Sequence, residues 1–146
     1  RQVSSAASDV YKRQHLIYHL SKWIKDQKVE IRSKVQNKGG TMRLGAYPAK
    51  IKKGTMAYSI YKKAIVSERH RHRFEVNVNY QEALEDNGLT FSGFSQDGSL
   101  PEVVELPSHP FFLGVQFHPE LKSKPFEPHP IFSAFVKKAL EQTRLV

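Results

Sequence analysis

Hydrophobic positions along this chain alternate in some stretches, recur as helical stripes in others, and once form a short unbroken run. That run is FFLGVQF (111–117), preceded by Pro110 and followed by His118, Pro119 and Glu120. Aromatic and β-branched residues between prolines predict a buried strand. Side chains alternate across a strand, so His118 and Glu120 are expected to project to one side, with Pro119 ending sheet pairing between them. Alternation predicts further strands at 46–51, 89–95 and 103–106, the last two joined by a turn at 96–99. It is strictest in IVSERHRHRFEVN (65–77). Helical spacing at 16, 17, 20, 23 and 24 predicts a short helix over 15–24, or a strand end running into one. Similar stripes predict helices over 56–64 with Thr55 as N-cap, over 79–87 with Asn77 or Asn79 as cap and Gly88 as stop, and over 130–143 with Pro130 in the first turn. Residues 25–38 are almost wholly polar and are expected to form an exposed loop.

Residues 1–14 show no sustained period and read as a linker or cloning-derived segment, or else a natural flexible tail, outside the fold. The domain is then expected over 15–146. At 146 residues there is room for one core or for part of a larger one, and 39% hydrophobic with 11% aromatic residues is a globular composition. No apolar run approaches the roughly 18 residues of a membrane span. The chain has no cysteine, which removes disulfides, thiolate metal sites and a cysteine nucleophile from these residues. A cytoplasmic setting fits that composition.

Charge divides the chain. Residues 1–73 carry 18 Lys/Arg against 4 Asp/Glu, whereas residues 74–146 carry 5 against 10. A basic half suits an anionic ligand, nucleic acid, or an acidic partner domain, and charge does not choose among them.

The candidate chemistry lies in two places. A carboxylate beside an imidazole fixes its tautomer and raises its basicity, so His118 with Glu120 is the base-and-orienter half of a nucleophilic triad, or a surface pair at a strand end. In RHRHR, an extended chain places Arg69, Arg71 and Arg73 on one side and His70, His72 and Phe74 on the other. Guanidinium groups in a row suit a carboxylate or phosphate, though a solvated basic strand has the same pattern. His70 and His72 could seat a metal, but no third ligand stands nearby in sequence, so no metal is expected.

Taken together, GGTMRLG (39–45), ERHRHRFEVN (68–77), GLTFSG through VVELPSHPFFLGVQFHPE (88–120) and HPIFSAFVKKAL (129–140) resemble the CTP synthase family, over the C-terminal part of its class I glutamine amidotransferase domain. The likeness spans roughly 38–142. It implies an α/β fold, a flavodoxin-like open sheet lacking its N-terminal strands and nucleophile elbow. It also implies glutamine hydrolysis through a thioester, with ammonia passing to a separate synthase domain that aminates UTP to CTP using ATP and Mg²⁺. No cofactor is implied for the present residues. His118 matches the triad histidine, Glu120 the triad acid, and Arg73 a residue holding the substrate glutamine. Arg43 falls in the GGTMRLG segment, as a structural or interdomain element. Ala49 replaces a cysteine common in relatives that is not the nucleophile. The implied partners are L-glutamine and the synthase domain, in an enzyme that is a homotetramer, with neither nucleic acid nor membrane.

Without a thiol the chain is expected to be inactive by itself, and without its first strands marginal as a folded unit. The alternatives are a basic nucleic-acid-binding module and a catalytically dead amidotransferase-like interaction domain.

Overall fold

A computed structural model describes residues 16–19, 22–25, 28–31 and 42–143. The reading of residues 1–14 lies outside them. In chain order the elements are β1 (Ile17–His19), β2 (Lys22–Lys25), β3 (Lys28–Ile31), β4 (Arg43–Ile51), α1 (Met56–Tyr61), β5 (Ile65–His72), β6 (Phe74–Val76), α2 (Gln81–Asp86), β7 (Thr90–Ser95), β8 (Pro101–Glu105), β9 (Leu113–Val115) and α3 (Pro130–Thr143).

The sheet at the centre has the order β5-β4-β7-β8-β9, and every pairing in it is antiparallel. The fold is α/β, as expected, and the described strands make up an antiparallel, curled part of it. The curl is visible just after β9. Gln116 N–H donates to Glu102 O at 3.0 Å, continuing the β8–β9 ladder, and two residues later His118 N–H donates to Arg69 O on β5 at 2.8 Å. Thus Gln116–His118 carries the chain from one edge of the sheet to the other. Gly93 permits the tight β7–β8 contact, since a Cβ there would stand 2.7 Å from Val103 Cγ2.

The core is where that curl closes on α1 and α3: Ala49, Ile51, Ala57, Val66, Val103, Phe117 and Ile131 are all buried together. Helix α1 begins as its sequence predicts. Thr55 accepts from Tyr58 N–H at 3.2 Å, and the buried Glu105 carboxylate accepts from Met56 N–H at 2.8 Å. Both satisfy donors that a helix start leaves open, and the anion suits the positive end of the helix dipole. Asn77 caps a 3-10 turn before α2, and Gly88 follows α2 with φ of 94°. Helix α3 has the bounds its stripe predicts, but only Ile131 of that stripe is buried. Phe135, Val136 and Leu140 are more than half exposed. Among the described residues no helix is long and apolar enough to cross a membrane.

The N-terminal stretch departs from expectation in part. Of the two readings of 15–24, the strand end is present as β1, paired with β6, but no helix follows it: where described, 22–25 and 28–31 form the antiparallel pair β2–β3 in place of the helix and of part of the loop over 25–38. Strand β6 supplies β1 with ladder partners that outweigh a weak local helical period.

Candidate functional site

The 111–120 stretch gives a shorter strand than its apolar run suggests, with regular pairing only at Leu113–Val115. Phe117 then turns into the core at 3% exposure, and Pro119–Leu121 forms a 3-10 turn opening with the buried Pro119. His118 sits at the junction, its backbone held to Arg69 and its side chain about a third exposed. The expected pairing is present: His118 Nδ1 lies 2.7 Å from Glu120 Oε1. Glu120 itself is exposed. The hydrogen bond from His118 holds its carboxyl below the ordinary glutamate range, with a backbone hydrogen bond and the Arg71 charge acting in the same direction. An ionised Glu120 fixes the proton of His118 on Nδ1, leaving the Nε2 lone pair to take a proton from elsewhere.

Strand β5 supplies the floor of this site. Its alternation is as predicted: Arg69 and Arg71 point outward, while Glu68 and His70 are buried and His72 is half-buried. The strand ends at His72, so Arg73 lies in the bend before β6 rather than in register with Arg69 and Arg71, and it is half-buried there. Phe74 does not join the inward histidines, because it opens β6 and is 52% exposed. The structure therefore brings His118 and Glu120 together and ties them to β5 at Arg69, while Arg73 lies in the bend past the end of that strand. Lys122, just past the dyad, donates to Ser67 O at 2.5 Å and pairs with Glu68 at 3.3 Å, pinning the 3-10 turn on β5.

Inside the curl lies a charged cluster. Arg43 is 2% exposed; its Nη2 hydrogen-bonds Glu102 Oε1, its Nη1 is 3.7 Å from Glu75 Oε2, and its guanidinium lies 4.6 Å from the Tyr47 ring centre. His70 Nδ1 is 2.8 Å from His72 Nε2, and His72 Nδ1 is 2.9 Å from Phe74 O. The two histidines thus engage each other through ring nitrogens. Among the described residues no group of three or more metal-ligating side chains is gathered as a metal site would require. Burial, with the Arg43, His72 and His118 charges adding to it, pushes His70 down to about 2. Burial also raises the Glu102 carboxyl, against the opposing effect of Arg43. Sequence reasoning passed over Glu75, Glu102 and Gln116. The available signal was an acidic residue at an inward position of an otherwise apolar strand, as in PEVVE.

The family profile described as class-I glutamine amidotransferase matches residues 6–138. CTP synthase of Maricaulis maris is 58% identical over 127 residues, covering 87% of this chain and 23% of that protein. CTP synthase of Zymomonas mobilis is 59% identical, with the same coverage. The chain therefore spans about a quarter of the length of the curated relatives it matches. Among solved structures, the glutaminase domain of Trypanosoma brucei CTPS with bound acivicin is 44% identical, with a TM-score of 0.67 over 73% of this chain and 43% of that one.

Proposed function

Since this chain belongs to the class-I glutamine amidotransferase family, we propose that it forms the base-and-acid wall of a glutaminase site in a CTP synthase. The observation that carries the reading is the 2.7 Å contact of His118 Nδ1 with Glu120 Oε1 at the surface end of β9. His118 Nε2 takes the proton of a cysteine thiol, and the thiolate attacks the side-chain amide carbon of glutamine. The imidazolium then returns that proton to the departing nitrogen, which leaves as ammonia with a thioester behind. His118 next removes a proton from water for attack on the thioester, and the thiol is regenerated as glutamate leaves. Glu120 holds the ring and stabilises its charged form through both halves. Arg73 pairs with the α-carboxylate of glutamine, for which a planar guanidinium is the suited partner.

The 146 residues contain no cysteine, so the thiol in this reading comes from polypeptide outside them. These residues alone are then inactive toward glutamine. The ammonia serves ATP- and Mg²⁺-dependent amination of UTP in a separate synthase domain, in a cytoplasmic, homotetrameric enzyme.

The test uses the full-length enzyme that carries this segment. His118→Ala is expected to lower glutamine-dependent CTP formation by about 10²–10⁴-fold, with ammonia-dependent formation nearly unchanged. Glu120→Ala acts in the same direction, and Arg73→Ala chiefly raises KM for glutamine. Equal loss of both activities in the His118 and Glu120 variants would show the pair to be structural.

A further inference from the structure

The charged cluster and the dyad meet at Gln116. Its backbone N–H donates to Glu102 O at 3.0 Å, and its side-chain Nε2 donates to Glu75 Oε2 at 3.1 Å and to Pro101 O at 3.2 Å. Glu102 and Glu75 are in turn the two carboxylates that flank Arg43. The contacts close on themselves, partly through the main chain: Arg43 to the Glu102 carboxylate, the Glu102 backbone to the Gln116 backbone, the Gln116 amide to Glu75, and Glu75 back to Arg43. Three strands, β4, β6 and β8, are joined by this ring to the segment that enters the site. Arg43, Glu75 and Glu102 are each at most 2% exposed. Burying charge at such density is costly, and replacing it by apolar packing is often neutral or stabilising. A role in stability alone therefore accounts poorly for it.

We propose that Gln116 is a positioning residue: Glu75, itself held by the buried Arg43, and the Pro101 carbonyl fix its amide, and through it the angle at which His118 presents Nε2. This rests on the glutaminase reading of His118. The route is short. Gln116 is locked on both its backbone and its side chain, Phe117 is packed 6.0 Å ring-to-ring from His70, and His118 is next held at Arg69 O. With both ends of the tripeptide tethered, its path has little freedom. Without the amide ties, Gln116 is held by its backbone hydrogen bond to Glu102 and by the β9 pairing before it, and its side chain no longer fixes the path toward His118. A displacement of about 1 Å at a reacting group can lower a rate about 10²-fold.

In the full-length enzyme, Gln116→Met keeps the side chain's length while removing its hydrogen bonds. The expected result is a tenfold or greater fall in kcat for glutamine hydrolysis, with KM for glutamine and the ammonia-dependent rate within twofold of the parent. Gln116→Glu, which can accept but at neutral pH cannot donate to Glu75, is expected not to rescue. Should Gln116→Met fail to fold, Gln116→Asn, too short to reach both acceptors, reads the same quantities. An unchanged kcat in a folded variant, or equal loss of ammonia-dependent activity, overturns the positioning role. His118→Ala measured alongside separates the two ideas. If it retains glutaminase activity the base assignment fails, whereas a dead His118→Ala with an unaffected Gln116→Met removes only the role of Gln116.

Discussion

Strands β4 and β5 face the interior along one continuous surface, yet its two ends differ in chemistry. At one end Ala49 pairs with Val66, and Ile51 lies beyond them in the apolar core with Val103 and Phe117. At the other, Arg43 stands opposite His72, Gly45 opposite His70, and Tyr47 opposite Glu68. The first end is stabilised by removing hydrocarbon from water, at roughly 25 cal/mol per Å². The second withdraws several ionisable groups from water and recovers that cost through specific partners. Apolar packing tolerates small shifts of its members, while hydrogen bonds between charged groups are sensitive to distance and angle. The charged end adjoins His118, and the apolar end anchors α1 and α3. One end of the sheet holds the domain together, and the other is arranged to hold a few atoms in place.

Removing one member of the charged ring should have the largest effect on stability. Arg43→Met leaves the buried Glu75 and Glu102 without their shared cation, and breaking a buried ion pair in this way costs about 3–5 kcal/mol. Chemical denaturation of the parent and the variant measures it. A loss below about 1 kcal/mol would mean that the cluster is reached by water and that its burial does not carry the contrast drawn above. At the apolar end, Ile51→Ala opens a cavity in a residue 4% exposed, for which about 2–4 kcal/mol is expected. The two variants should differ in a second respect. In the full-length enzyme proposed above, loss at Ile51 should leave glutamine hydrolysis per folded molecule nearly intact, whereas loss at Arg43 should reduce it beyond the effect of unfolding. Equal activity per folded molecule in both would erase the distinction between the ends.

How legible each end was follows from the same physics. The helical stripe over 130–143 and the cap at Thr55 made α3 and the start of α1 legible directly, because those patterns depend on neighbours in sequence. His118 with Glu120 was legible for the same reason, the partners being two residues apart. The ring was not. Arg43 and Glu102 are 59 residues apart, and Gln116 and Glu75 are 41 apart, so no local period brings them together. Strand β1 was left between helix and strand end on similar grounds, its partner β6 lying far downstream. The inward-facing histidines of RHRHR were legible as a face, but the bend that takes Arg73 and Phe74 out of that strand was not, since it depends on where β6 must go to meet β1.

The smallest effect expected is on acid sensitivity, and it tests whether the charged end behaves as a dry interior. His70 is pushed down to about 2, so it stays neutral in the folded protein, while in the unfolded chain it takes up a proton below its ordinary value of about 6.5. Below that value the unfolded state binds more protons, and stability falls as pH falls, by at most about 1.4 kcal/mol per pH unit from this one group. Glu102 works against it: its raised carboxyl takes up a proton in the folded state before it does so unfolded. The difference between the parent and His70→Gln isolates the histidine, since Gln cannot titrate. Between pH 6.5 and 5, urea midpoints should fall more steeply in the parent than in the variant. Equal slopes would mean that water or Glu102 lets His70 protonate in place. The acid sensitivity would then belong to the second buried ionic pair, Glu68 with His129 at 3.1 Å, where the carboxyl is held low by its hydrogen bond from His129 despite its burial.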